Sequence, residues 1–449
     1  VKESLRVIGH LWRQFLPLSL SDVTMAAGDP AITATLTHLP DARSSLGAVG
    51  IAKSIAVFFE SPIIMLLHAS NAMAPAAAAR KALWRFMVGA VTLLTIALVF
   101  LSLPSVFPAV GQRLMGVEPG LAETARNVLL VMALWPAAIG WRRYYQGLLI
   151  RAGHAPWVAR AGIARLLLVL AVLYLGYVNE ASGALLAGLA LASGVVLEAA
   201  IVTVAARRTG ATIPPVTEMP TPLPRNVREV WRFYWPLANS MVVVWGGRAL
   251  LIALIARSVD SALALAAWPA AWSFVLVVAN ASRMVQQVII RHKGELPGTL
   301  LAGFAASVGL ALSLLLLLVG WTPPGQVVIG SFVGNDPELL AAVQPVVLAT
   351  AVVPFLVAMQ NALQGFLIGG GHTGRINAAT WVGTATLLLT ALAGVKAGFA
   401  GATTAAVAMV LGLFAESLTL GAKLGAAYLV ERLRKRSLAP LAAQREDAV

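Results

Sequence analysis

Gln146-Gly147-Leu148-Leu149-Ile150-Arg151-Ala152-Gly153-His154 returns 218 positions later as Gln364-Gly365-Phe366-Leu367-Ile368-Gly369-Gly370-Gly371-His372. The same offset pairs Pro136 with Pro354, Gly194 with Gly412 and Glu198 with Glu416. Nearer the N-terminus the register slips by one residue, so that Pro17 meets Pro236 and Asp29 meets Arg248. A period of almost half the 449 residues makes the chain two related halves. In a chain this apolar, such a repeat predicts two helical bundles around a central site, the plan of a membrane transporter.

Composition fixes the solvent. Hydrophobic residues make up 59% of the chain and charged residues 12%, where soluble domains carry about 45–50% and about 25%. Apolar stretches of 18 or more residues recur along the whole length, each long enough to cross the bilayer as a helix. Twelve spans are expected, at 14–37, 46–73, 83–107, 122–150, 157–178, 182–206, 231–257, 262–290, 299–321, 338–369, 375–395 and 399–424. The absence of ten-residue alternating segments excludes a β-barrel, so the fold is all-α. Gly28-Asp29-Pro30 is the expected bend in the first span, because Pro30 removes a backbone donor.

The net charge of +14 would suggest nucleic acid in a soluble protein. Here the basic residues alternate by loop. One set of loops collects Lys2, Arg6 and Arg13, then Arg80, Lys81 and Arg85, Arg151, the group Arg207 to Arg232, Arg291, Lys293, Arg375 and the tail cluster Arg432, Arg434, Lys435 and Arg436. The opposite loops hold little beyond Arg43, Arg113, Arg126, Arg257 and Lys396. The positive-inside bias therefore expects an integral multi-pass protein with both termini in the cytoplasm, anionic lipid headgroups beside its basic loops, and no nucleic-acid partner. The first span lacks a small-residue cleavage site and reads as retained. Without cysteine there is no disulfide, thiol chemistry or Cys-based metal site.

The domain reading is a first lobe over 1–206, a Pro-rich linker over 207–230 with Pro214, Pro215, Pro220, Pro222 and Pro224, a second lobe over 231–424 and a basic tail over 425–449. The tail beyond Leu438 is expected to be disordered. Each half has an even number of spans and begins on the same side. The repeats are then parallel, related by an axis along the membrane normal, with a cleft between them.

Several local patterns resemble the progressive ankylosis protein family. Phe15-Leu16-Pro17-Leu18, followed by Asp29, is similar to its first helix, and Gly50-Ile51-Ala52-Lys53-Ser54 with Phe58-Phe59 and Pro62 to its second. Trp235-Pro236-Leu237-Ala238 with Arg248 and Arg257 resembles helix 7, and Gly398, Gly401-Ala402-Thr403 and Glu416-Ser417 resemble helix 12. Gly147 and Gly365, each eleven residues after a proline, also match. The resemblance runs from about residue 15 to 420. It implies a MATE-like fold of twelve transmembrane helices in two pseudo-symmetric six-helix lobes, within the multidrug, oligosaccharidyl-lipid and polysaccharide exporter superfamily. It also implies transport of small polyvalent anions such as citrate, pyrophosphate or nucleotides. The expected location is a bacterial cytoplasmic membrane. The animal members carry cysteines and other cavity residues that this chain lacks, so the substrate does not carry over.

Ionisable residues within the spans are the functional candidates, because a charge in hydrocarbon costs about 2.5 kcal/mol or more unless it meets a cavity or a partner. They are Asp22, Asp29, Glu60, Glu198 and Glu416 against Lys53, Arg142, Arg143, Arg160, Arg165, Arg248 and Arg283. Asp29 and Arg248 occupy equivalent positions of spans 1 and 7. Three readings stand: a gating pair or substrate contacts across the cleft, neutralisation of each within its own lobe, or Asp29 as carrier of a coupling proton. Glu198 and Glu416 either share a coupling cation such as a proton or sodium, or brace each bundle against basic neighbours. Arg283 with Asn280 and Gln286 forms a polar stripe suited to an anion, since guanidinium presents a fork of donors. Lys53 and Glu60 share roughly one face of the second span and either pair locally or reach substrate. Gly147, Gly365, Gly153-His154 and Gly371-His372 read as packing and turn elements.

No HExxH, P-loop or Cys/His cluster occurs, so no metal, cofactor or enzyme chemistry is expected. The expected function is a secondary transporter of small organic or phosphorylated anions that works by rocking of two lobes. A cation-coupled multidrug exporter of amphipathic cations is the second reading. A lipid-linked saccharide flippase and a non-transport receptor or scaffold follow.

Overall fold

Proline and the repeat together decide where the long apolar spans break. The computed structural model describes residues 2–36, 38–39, 41–114, 119–213, 223–255, 257–333 and 337–446, with some side chains in these ranges, Asp29 among them, left undescribed. The first half contains α1 (Lys2–Leu36), α2 (Ala42–Glu60), α3 (Leu66–Met73), α4 (Ala77–Leu101), α5 (Pro119–Val131), α6 (Trp135–Arg151), α7 (Ala155–Val178) and α8 (Gly183–Arg208). The second contains α9 (Val227–Ile255), α10 (Ser261–Ala281), α11 (Val285–His292), α12 (Gly298–Trp321), α13 (Pro323–Val333), α14 (Pro337–Ala349), α15 (Val353–Gly369), α16 (Thr373–Lys396) and α17 (Gly401–Glu446). A π-helical turn, Ala109–Leu114, follows α4. No strand occurs among the described residues.

Four spans expected to be continuous are instead broken, and the breaks are repeat equivalents. The stretch 46–73 divides into α2 and α3 around Pro62, and 262–290 divides into α10 and α11 at the 3-10 turn Ser282–Met284. The stretches 122–150 and 338–369 divide before Pro136 and Pro354, which sit in the first turns of α6 and α15. Proline lacks the donor that an interior helical position needs but fits a first turn, so each helix restarts there. The axis between α14 and α15 bends by 41°.

Helix α1 is continuous through Gly28-Asp29-Pro30, the place expected to bend. Other local expectations differ. Helix α17 continues to Glu446, past the point where the tail was expected to lose structure; its leucines, alanines, arginines and lysines are good helix formers. Helix α9 starts at Val227 rather than 231, with Asn226 accepting from the Glu229 amide and Glu229 reaching back to the Arg225 amide. Residues 214–222, the heart of the expected linker, lie outside the described residues.

Among the described residues, seven helical stretches are long and apolar enough to cross a membrane, and the bent α14–α15 pair makes an eighth. Helix α6, short and carrying Arg142-Arg143-Tyr144-Tyr145-Gln146, is not one of them. Outward faces are apolar: Leu167 and Leu175 of α7 and Leu314 and Leu318 of α12 are exposed. Only lipid makes such surfaces favourable over so many helices.

The repeat holds at the level of packing. A Cβ added at Gly147 of α6 would meet Ser70 and the Leu67 carbonyl of α3; one at Gly365 of α15 would meet Ile289 and the Gln286 carbonyl of α11, the repeat counterparts. Gly194 packs on Val169, and Gly412 on Leu387. Gly153 and Gly371 both end their helices with positive φ, 87° and 77°, where a side chain would be strained, and the His154 and His372 amides that follow each bond a carbonyl five residues back at 2.8 Å.

The halves meet at one end. Gln14 of α1 accepts from Arg291 at 3.0 Å, Arg151 of α6 donates to the Arg291 carbonyl at 2.6 Å, and Asn71 of α3 donates to Gln287 of α11 at 3.0 Å. Trp12 donates to Ser307 of α12, and Phe86 of α4 packs on Tyr234 of α9 with ring centroids 5.1 Å apart. At the same end Arg80 of α4 holds the start of the inter-half segment through the Ala211 and Thr212 carbonyls.

Candidate functional site

Beyond those contacts a cavity of about 320 Å³ lies between the halves. Asp22 of α1, Met65 and His68 at the start of α3 and Arg143 of α6 form its first-half wall. The second half supplies most of the rest, from α9, α10, the Ser282–Met284 turn, α11, α15, α16 and α17. Its breaks are what bring polar groups here. Arg283 sits in the 3-10 turn between α10 and α11, and Asn280 and Gln286 flank it on the same wall.

Three arginines, Arg143, Arg248 and Arg283, face two carboxylates, Asp22 and Glu416. Arg143 is buried, Arg248 half-buried and Arg283 exposed to the cavity side. Arg248 lies over two indole faces, 5.3 Å from Trp245 and 6.0 Å from Trp272. Such stacking holds a guanidinium in place while leaving its edge donors available to an anion.

The expected residues fall into three groups. Arg248, Arg283, Asn280 and Glu416 are on the cavity wall. Lys53 and Glu60 are not among the residues that line it, because α2 packs on α5 and α8 at the flank of the first half; Glu60 accepts from the indole of Trp135 at 3.1 Å. Asp29 lies in α1, but its side chain is outside the described residues. The described partners of Arg248 are thus aromatic.

Glu198 is part of neither wall nor gate. It sits inside the first half, with α8 pressed on α6 and α7, and its carboxylate receives Arg142, Gln146 at 2.9 Å and Arg165 at 3.4 Å. Arg142 and Glu198 are almost wholly buried, so this is a structural ion pair. Glu416 of α17 accepts from Thr380 at 2.8 Å and Gln364 at 3.5 Å, and among the described residues no cation pairs with it.

Sequence reading did not single out His68, Trp245 or Trp272 as cavity residues. Trp245 carried a usable signal, being three residues before Arg248 on the same helical face. Trp272 holds the repeat position of Lys53, so one half places a cation where the other places an aromatic ring. Nothing local marked His68.

Comparison with solved structures gives the architecture a name. The chain is similar over 96% of its length, and 99% of the other, to the Vibrio cholerae MATE transporter VcmN in its bent form, at 15% identity and a TM-score of 0.75. It is also similar to a MOP superfamily transporter from Pyrococcus furiosus described as having a binding pocket of reverse polarity (15% identity, 96% of each chain, TM-score 0.71). The eukaryotic MATE transporter AtDTX14 aligns at 13% identity over 94% of this chain and 96% of that one, with a TM-score of 0.70. These likenesses establish the twelve-helix MATE fold with its two pseudo-symmetric lobes. No curated protein matches. The family model of the progressive ankylosis protein (ANKH) matches residues 3–272, more than half of the chain, and the protein belongs to that family.

Proposed function

We propose that the protein is a secondary transporter of small polyvalent organic or phosphorylated anions, citrate-, pyrophosphate- or nucleotide-like, with lobes 1–206 and 231–424 rocking about the central cavity. The observation that carries this reading is the arginine excess on the cavity wall: Arg143, Arg248 and Arg283 against Asp22 and Glu416. Forked guanidinium donors on opposing walls match a ligand with two or more anionic groups. The inter-half contacts close one end of the cleft. With both termini cytoplasmic, as the basic-loop bias expects, that end faces the cytoplasm and anionic lipid headgroups border it.

The cation-exporter reading has less support. Its natural binding surface would be the faces of Trp245 and Trp272, and Arg248 already covers them. A scaffold reading gives the arginines no role, and a flippase would use them only on the phosphate linkage of its substrate.

Uptake into proteoliposomes of labelled citrate, pyrophosphate, a nucleotide and a lipophilic cation tests the proposal. At least one anion is expected to be transported and the lipophilic cation not. Arg248→Ala should raise the half-saturating anion concentration by about tenfold, the effect of losing roughly 1.4 kcal/mol of binding. Folded yield and melting temperature should change little, because Arg248 braces no buried carboxylate among the described residues. Transport of the cation alone, or an Arg248→Ala protein with unchanged affinity, would overturn the assignment.

A further inference from the structure

Position by position, the second half has lost the arginines that neutralise the glutamate of the first. Glu198 is held by Arg142 and Arg165, with Arg143 beside them on the cavity side. At the repeat offset the same places hold Gln360, Asn361 and Gly383 around Glu416. The replacement is also steric: a Cβ at Gly383 would lie 2.7 Å from the Glu416 Cβ, so the glutamate's side chain passes through the space that the stem of Arg165 takes in the other half. Glu416 is 6% exposed and borders the cavity, whereas Glu198 does not.

A carboxylate withdrawn from water requires a counter-charge, which can be an arginine, a metal cation or a proton. Among the described residues no arginine or lysine pairs with Glu416. Its neighbours turn donors toward it: Gln364 presents its amide nitrogen, while its oxygen accepts from Gln286 at 3.3 Å, and the Thr380 hydroxyl donates. No cluster of three acidic or histidine side chains suited to a metal occurs among the described residues.

We propose that Glu416 is a proton-carrying site of this transporter and that its proton travels together with the anion. This rests on the anion reading above. Water in the open cavity delivers a proton to a Glu416 carboxylate oxygen, giving the neutral acid, and the reverse transfer to water on the other side restores the carboxylate. The direction of coupling follows from charge. An anion held by Arg248 and Arg283 shares the cavity with Glu416, so it binds better when that group is neutral. By reciprocity the bound anion strengthens the proton's binding. Proton and anion therefore move in the same direction.

The charged and titratable groups that face Glu416 across the cavity are Arg248 of α9, Arg283 of the turn after α10, His68 of α3, Arg143 of α6 and Asp22 of α1. Helices α15 and α16, which flank it directly, present Gln360, Asn361, Gln364, Thr380 and Gly383, none of which titrates.

Two readouts test the site. In proteoliposomes, Glu416→Gln should keep anion exchange without a gradient and lose uptake driven by an imposed pH gradient. Gln360→Arg, which restores the counterpart of Arg142, should also lose the gradient response by supplying a permanent counter-charge. The second readout needs no substrate: infrared difference spectra on a pH jump should show a carboxylic-acid C=O band in the native protein that Glu416→Gln lacks.

Gradient-driven uptake that persists in Glu416→Gln overturns the proposal. So does a carboxyl band that survives in Glu416→Gln and disappears in Asp22→Asn. Uptake driven by a sodium gradient and dependent on Glu416 overturns it in favour of a metal ion. If none of the probe anions is transported by the native protein, the anion reading fails, and the infrared band alone decides whether Glu416 holds a proton.

Discussion

Glu198 and Glu416 occupy equivalent places in two copies of one architecture, each with a glutamine, Gln146 or Gln364, as donor, but only the first is surrounded by arginines. In the first half the glutamate ties α8 to α6 and α7 through buried arginines; in the second it rests among Gln364, Thr380 and a glycine, at the edge of the cavity. The same asymmetry runs through other positions, since Asp29 is paired by the repeat with Arg248 and Lys53 with Trp272. The second half builds most of the cavity wall, and the first holds the buried ion pair.

The widest gap between the halves is expected on neutralising the two glutamates. Glu198→Gln leaves Arg142 and Arg165 buried without their carboxylate, a loss of about 3–5 kcal/mol by analogy with other broken buried pairs. Folded yield in detergent should fall sharply, with a melting temperature well below that of the native protein. Glu416→Gln should behave nearly as native in the same assay, because Thr380 and Gln364 can hydrogen-bond an amide as well as an acid. Equal losses in the two variants would show that the divergence has no energetic meaning.

A second comparison concerns the glycines that opened the sequence reading. A methyl group at Gly147 would come within 2.8 Å of both the Asn71 amide nitrogen and the Leu67 carbonyl oxygen, which are backbone and cannot turn aside. At Gly365 its tightest contacts are with the Ile289 side chain at 2.9 Å and the Gln286 carbonyl at 3.1 Å. Gly147→Ala should cost about 2 kcal/mol and Gly365→Ala about 1 kcal/mol, by overpacking of a helix interface. Thermal unfolding monitored by size-exclusion chromatography ranks them, and the reverse order would mean that the first half is the more adaptable body.

The fold was legible because its causes are local and repeated. Apolar run length gave the spans, and the Gln-Gly and Gly-His motifs gave the two halves with their register. The breaks were less legible. Pro136 and Pro354 stood in plain view, yet a run of apolar residues on either side reads as continuous when hydropathy alone is counted. The turn at Ser282–Met284 carries no proline at all. For the site, the inventory of buried charges contained Arg143, Arg248, Arg283, Asp22 and Glu416, but one sequence cannot say which side of its helix looks inward. Arg142 and Arg143 are adjacent, and the 100° turn between them puts one on Glu198 and the other on the cavity. His68 and Trp272 required the packing of α3 and α10 to be known. For Lys53 and Glu60 the choice between local pairing and substrate contact depends on the packing of α2, which lies at the flank.

The smallest expected effect belongs to Arg165, and it separates the roles of the arginines within the first half. Arg165 approaches Glu198 at 3.4 Å, whereas Arg142 and Gln146 make the closer bonds to the two carboxylate oxygens. Its removal would give up a long hydrogen bond but also relieve repulsion in a centre where three arginines surround one carboxylate. These terms oppose each other, and Arg165→Gln should cost no more than about 1 kcal/mol, against about 3 kcal/mol or more for Arg142→Gln. Melting temperatures of the two variants measure the difference. Should Arg165→Gln prove as damaging as Arg142→Gln, the third cation is part of the brace rather than surplus to it. In that case the arrival of glycine at its counterpart, Gly383, would by itself have been enough to release Glu416 from a structural role.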